Sequence, residues 1–224
     1  MPMKRIVLSP SALSLFLECP LCFWLEKNAG IKRPRGIFPS LPGGMDAAIK
    51  AYFDGYRIRG ELPPEITGKV RGKLFPESKI LARWRSWRTT ELRYEDAALN
   101  AALSGALDDC LVEDGVHIPV DYKTRGYDLK EDSATYYQTQ LDCYCLILES
   151  SGYATGGFAY LIYYWPAEVR EGGLVKFNVR PMKIETNIAS AKKTFQDAVR
   201  LLRSPPPPAA SVCEYCALVA QRKT

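Results

Sequence analysis

Asp108, Asp121 and Lys123 are the residues of this 224-residue chain whose types and spacing could do chemistry. They flank Asp114-Gly115, a pair of the kind that closes a tight β-hairpin. With that pair as the turn, Glu113 faces Val116 and Val112 faces His117, and continuing outward the register sets Asp108 opposite Asp121. Directly opposed residues share a sheet face, with Cβ atoms about 5 Å apart. Two carboxylates so placed repel unless a cation sits between them. Alternation puts Lys123 on the face of Asp121, while Asp109, opposite Val120, points the other way. Val116, Ile118, Val120 and Tyr122 make that other face apolar and pin the register against a one-residue slip. Carboxylates converging beside an ammonium form a hard-oxygen pocket suited to Mg²⁺ or Mn²⁺. A cation there can activate water and neutralise charge on a phosphodiester, and the lysine can position the water or stabilise the pentavalent transition state.

A second chemical cluster is written at the two ends. Cys19-Pro20-Leu21-Cys22 and Cys213-Glu214-Tyr215-Cys216 are two C-x-x-C pairs. Four thiolates in that pattern suit tetrahedral Zn²⁺ or an iron–sulfur cluster. Cys110, Cys143 and Cys145 fall inside expected elements and read as small core residues. The opening residues carry too short an apolar run for an export signal, so a reducing, cytoplasmic setting is expected, and the odd total of seven cysteines argues against a disulfide framework. No apolar run reaches the roughly 18 residues of a membrane span.

The net charge of +5 favours a polyanionic partner only mildly, but its distribution says more. Lys69, Arg71, Lys73, Lys79, Arg83, Arg85, Arg88 and Arg93 crowd one stretch around Trp84 and Trp87. Cations for phosphates and indoles for bases are the ingredients of a single-strand channel. The same stretch also reads as a solvated helix with both indoles turned to the core.

The elements that must position these groups follow from patterning. Ser9-Pro10 is a helix start, and an apolar stripe predicts a helix over 11–27. A Pro- and Gly-containing loop over 33–44 precedes an amphipathic helix over 45–57. Residues 60–87 hold turn signals and one short helix. Strands over 106–112 and 116–122 form the hairpin. A helix over 133–150, strands over 157–165 and 174–179, and a helix over 187–203 complete the body. Pro205 to Pro208 then form a stiff spacer before the cysteine-bearing tail. The order suggests an α/β fold, a mixed central sheet with helices on its faces, in one domain over 1–224 whose 205–224 segment is linker and tail.

Gly105-Ala106-Leu107-Asp108, Val120-Asp121-Tyr122-Lys123-Thr124 and Gln140-Leu141-Asp142-Cys143-Tyr144, in that order, resemble the PD-(D/E)XK nuclease superfamily. The likeness is to its RecB-like branch, which includes the CRISPR-associated exonucleases and AddB-type repair nucleases, and Leu8-Ser9-Pro10-Ser11-Ala12-Leu13 leading to Cys19-Pro20 adds to it. The resemblance implies a restriction-endonuclease-like core of helix, three-stranded meander, helix and further strand. It implies Asp108, Asp121 and the carbonyl of Tyr122 as metal ligands, Lys123 as catalytic lysine, and Gln140 and Tyr144 as residues that orient the lysine and touch DNA. It also implies a metal site that staples the C-terminal tail to the N-terminal helix. The chain departs from the pattern in two places. Where many relatives carry a metal-binding histidine on the second helix, this chain offers Asp46, which could supply a carboxylate or simply cap the helix; its sole histidine, His117, reads as a strand residue without a role. The cysteines are divided two and two, rather than one and three, which keeps both zinc and a 4Fe-4S cluster open.

Together these features imply a metal-dependent deoxyribonuclease favouring single strands, with a helicase or other nucleic-acid-processing protein as a possible associate and no membrane partner. The rival is a catalytically silent, nuclease-like DNA-binding or scaffold module in a repair or defence complex.

Overall fold

In a computed structural model the described residues are 4–34, 36, 40–130 and 133–221. The chain opens with strand β1 (Ile6–Leu8), helix α1 (Pro10–Glu18) and helix α2 (Pro20–Asn28). The single helix expected over 11–27 is therefore two. Pro20 has no N–H to continue α1 and pushes its predecessor out of helical space, so Cys19 lies extended at φ −155°. Helix α3 (Ser40–Arg59) begins earlier than the expected 45, inside the expected loop, because Pro42 falls in its first turn, where a missing N–H costs nothing. Part of that loop lies outside the described residues.

Next come β2 (Lys73–Leu74), α4 (Ser78–Trp84), β3 (Arg93–Asp96), β4 (Ala101–Ser104), β5 (Asp109–Glu113) and β6 (Val116–Thr124). Helix α5 (Gln138–Ser150), entered by a 3₁₀ turn at Thr135–Tyr137, leads to β7 (Phe158–Arg170), β8 (Leu174–Glu185), α6 (Ile188–Leu202) and α7 (Glu214–Gln221). The fold is mixed α/β. A five-stranded sheet runs β2-β5-β6-β7-β8, with β6 and β7 parallel across the α5 crossover and the other pairs antiparallel. A small sheet of order β1-β4-β3 joins it; its strands of three or four residues are too short to show as a sequence pattern. Strands β7 and β8 run longer than expected because Pro166 is accommodated at a bulge and Pro181 lies on the edge strand, where its missing donor faces no ladder partner.

The first half of β7, residues 158–164, is buried on both faces. Ala159, Leu161 and Tyr163 enter a core with α1, α5 and α6, while Phe158, Tyr160, Ile162 and Tyr164 enter a second core beneath α3. Ile118, Val120 and Tyr122 of β6 join the second core, against Ile49 and Phe53 of α3. The opposite face of β6 turns Asp121 and Lys123 toward α5, where they meet Gln140.

Behind the sheet, the fully buried Asp109 carboxylate takes 2.6 Å contacts to each oxygen from Arg57 Nη2 and a 2.8 Å contact from Arg85, and the Tyr122 hydroxyl donates to it at 2.7 Å. Arg57 also donates to the Phe75 carbonyl, and Arg85 to the carbonyl of Asp108 at 2.7 Å. This cluster ties α3, α4 and the β5–β6 hairpin together. Removing one partner of a buried pair strands the other charge without water, at a cost of about 3–5 kcal/mol. Asp109→Ala is thus expected to lower the urea unfolding midpoint by an amount corresponding to about 3–5 kcal/mol; an unchanged midpoint would show that the cluster is not a structural tie.

Candidate active site and cysteine centre

The hairpin closes through Asp114 (φ 50°) and Gly115 (φ 80°), the left-handed pair a two-residue turn requires. Its register pairs Glu113 with Val116, Val112 with His117 and Asp109 with Val120. There the ladder stops. Asp108 precedes β5 and is not a ladder partner of Asp121, because its carbonyl is taken by Arg85 and its Oδ2 accepts from the Tyr122 N–H at 3.3 Å. The two carboxylates nevertheless share one electrostatic environment. Burial, with the Asp108 charge next in importance, pushes Asp121 up to about 7, against the pull of Lys123 and Lys50.

Asp121 is 1% exposed. Lys123 Nζ lies 2.5 Å from its Oδ2. Gln140 links the pair: its Oε1 accepts from Lys123 at 3.3 Å, while its Nε2 donates to Asp121 Oδ1 at 2.9 Å and to the Tyr144 hydroxyl at 2.5 Å. That amide orientation puts oxygen toward the ammonium and nitrogen toward the carboxylate. Gln140 and Tyr144, four apart on α5, share one helix face. Burial and the Asp121 charge hold the Tyr144 phenol well above its ordinary pKa, so it stays protonated and can donate to Asp121 Oδ1 at 3.4 Å.

On the α3 side, Lys50 bridges Asp46 Oδ2 at 2.8 Å and Asp108 Oδ1 at 2.7 Å. Burial works against its charge, but Asp108 and Asp46 outweigh it and raise its pKa. Sequence reading singled out Asp46 and passed over Lys50, although the four-residue spacing of the pair on a helix was a readable signal. It named Arg85 only among the crowded basic residues, whereas the structure turns it inward to the Asp108 carbonyl and Asp109, and it missed Tyr137, whose ring lies 4.3 Å from Lys123 Nζ. No sequence pattern marks either contact.

The donor set suits a hard divalent cation. Asp108 and Asp121 present carboxylate oxygens beside β6, and among the described residues the enclosed Oδ2 of Asp121 accepts no hydrogen bond, leaving its lone pairs to ionic contact alone. The cysteine centre is a different kind of site. The Sγ atoms of Cys19, Cys22, Cys213 and Cys216 all lie within 4.8 Å of one another and bring the two ends of the chain together. The helix break at Cys19 and the first turn of α7 supply the positions. Arg33 donates to Cys213 Sγ at 3.5 Å, pairs with Glu18 and lies 4.6 Å over the Tyr215 ring, which places positive charge beside the thiols. Against the opposing effect of burial, hydrogen bonds led by those from Ala210 and Cys22 draw the Cys19 thiol down to about 6, while burial holds Cys22 and Cys216 above the ordinary thiol value, so one thiol of the group ionises more readily than its neighbours. Cys110, Cys143 and Cys145 are buried, with thiol pKa values raised chiefly by burial.

The crowded basic segment divides. Trp84 is buried and stacks on Phe75, whereas Trp87 is 76% exposed with the Arg88 guanidinium 5.0 Å from its ring. His117 sits among the rings of Phe75, Trp84 and Tyr153, away from the carboxylates. Burial lowers its pKa, and among the described residues its Nδ1 has no hydrogen-bond partner. A histidine depressed in the folded state contributes stability that is present above its unfolded pKa and lost as pH falls through the folded one. His117→Phe is therefore expected to narrow the drop in unfolding midpoint between pH 7 and pH 5; an undiminished drop would place the pH sensitivity elsewhere.

The family described as the PD-(D/E)XK nuclease superfamily has a model that matches residues 44–221, a span containing most of α3, the hairpin, α5 and the cysteine-bearing helix α7. No curated protein matches the chain.

Proposed function

This chain belongs to the PD-(D/E)XK nuclease superfamily, and from that premise we propose that it is a Mg²⁺- or Mn²⁺-dependent deoxyribonuclease with a preference for single strands. The observation that carries the reading is that Asp121, Lys123 and Gln140 form one hydrogen-bonded and ion-paired group, with Asp108 near enough for its charge to act on Asp121. Asp108, Asp121 and the carbonyl of Tyr122 would hold the divalent ion, with Asp46 able to add a carboxylate. When bound, such an ion supplies Lewis acidity and an activated water. Lys123, anchored between Asp121 and Gln140, stabilises negative charge as it grows on the scissile phosphate. Gln140 fixes the lysine's direction, and Tyr144 supports Gln140 from one turn further along α5. The four cysteines would hold Zn²⁺ or a 4Fe-4S cluster, which closes the chain on itself and does no chemistry.

A second reading, a silent nuclease-like nucleic-acid-binding module in a repair or defence complex, is favoured by one observation: the Lys50 ammonium lies between Asp46 and Asp108, in the same anionic pocket a divalent ion would have to enter. A helicase or other nucleic-acid-processing protein is the partner class that suits either reading.

End-labelled single- and double-stranded DNA incubated with the protein in Mg²⁺, Mn²⁺ or EDTA separates the two. The nuclease reading expects metal-dependent cleavage, faster on single strands, that falls at least about a hundredfold in Asp121→Ala and Lys123→Ala variants. Binding without cleavage in either metal would install the silent module instead. For the cysteine centre, elemental analysis of purified protein is expected to find zinc, or iron with acid-labile sulfide, and Cys22→Ser is expected to lose it together with thermal stability. Wild-type protein free of both metals would remove the staple from the account.

A further inference from the structure

The active-site group is flanked by two open cavities. One, of about 650 Å³, is lined by Gln140, Tyr144, Ser9, Lys27, Thr90 and Trp87. The other, of about 260 Å³, is lined by Arg125, Tyr127, Ser133, Tyr136 and Tyr137. Lys123 touches both walls: it donates to Gln140 on one side, and its Nζ lies 4.3 Å from the Tyr137 ring on the other.

Each cavity also carries large aromatic surface that the core does not use. Trp87 is 76% exposed in the first, while Tyr136 (76%) and Tyr127 (64%) are exposed in the second. Cations accompany them, with Arg88 at 5.0 Å from the Trp87 ring and Arg125 at 4.9 Å from the Tyr127 ring. What sets these three rings apart from other exposed apolar side chains is their place on the walls of the cavities beside Gln140 and Lys123. Aromatic faces beside guanidinium groups are what an unpaired nucleobase and its phosphate recognise. A paired base in a duplex hides both faces in its own stack and cannot use them.

We propose that a single strand of nucleic acid crosses the site between these cavities, with one unpaired base stacked on Trp87 and another on the Tyr127/Tyr136 pair, so that the phosphate between them passes Lys123. The proposal rests on the nuclease-family reading of the central group and assigns the residues that give it a single-strand preference. The tyrosine pair is the part no motif announces. It follows the catalytic strand directly, at the end of β6 and the entry to α5.

The test measures affinity for a fluorescein-labelled oligothymidylate, in EDTA so that nothing is cut, using wild type, Trp87→Ala, Trp87→Phe and Tyr127→Ala/Tyr136→Ala. These side chains are exposed, and thermal melts check that the variants fold. Loss of one stacked base is expected to weaken binding about 5- to 100-fold. Both alanine variants should show that loss, Trp87→Phe should recover most of it, and a wholly abasic strand should bind all four proteins weakly and alike. Duplex of the same length should bind the variants as it binds wild type. If wild type binds the oligothymidylate and the alanine variants bind it equally well, the stacking path is wrong and the nuclease reading stands. If wild type neither binds nor cleaves any strand, both fall together.

Discussion

A carboxylate stripped of water must be answered by charge, and the placement of Asp109 turns that requirement into architecture. Its partners come from three directions: Arg57 from α3, Arg85 from the end of α4 and Tyr122 from the neighbouring strand. None of the three elements can shift without exposing a buried ion, so the cluster sets the distance between helix and sheet. Because Arg85 also grips the carbonyl of Asp108, the same cluster fixes the backbone from which the Asp108 side chain reaches the opposite side. One aspartate is consumed in structure, and its neighbour is thereby held on the side of Asp121 and Lys50.

On the working side the charges are balanced by opposing demands. Three acids and two lysines lie together: Asp121 is paired with Lys123, and Asp108 and Asp46 share Lys50. Asp121 carries the cost of burial, which is why its carboxyl holds a proton more readily than an exposed one. Each carboxylate already has an ammonium, so the group is electrostatically balanced as it stands. Gln140 is suited to this balance because an amide offers one acceptor and one donor edge, and each is used on the charge of the right sign.

Much of this was legible in the sequence, for definite physical reasons. The hairpin register followed from the turn pair and the alternation of Val116, Ile118, Val120 and Tyr122, both local properties. The i, i+4 pairs on helices were legible in the same way. What escaped depends on distant contacts. That Asp108 leaves the ladder one residue early is decided by Arg85, more than twenty positions away. The break at Cys19 was present in Pro20 but was outweighed by an apolar stripe that continues across it. Trp84 and Trp87 look identical in a sequence; only the stack on Phe75 separates a core indole from an exposed one. The small sheet of β1, β3 and β4 is built from strands too short for any periodicity.

The closure of the chain by its cysteines has a consequence in time. Cys22 and Cys213 are 191 positions apart, so the first pair of thiols leaves the ribosome long before the second. At the usual pace of synthesis the interval is roughly 10–40 s. Throughout it, Cys19 and Cys22 are a bare dithiol at the break between two helices, while the body that will separate them from solvent is still being made. A tetrathiol centre here can be completed only after the residues of the sheet and α6 have been synthesised, so it cannot be the nucleus from which folding during synthesis begins.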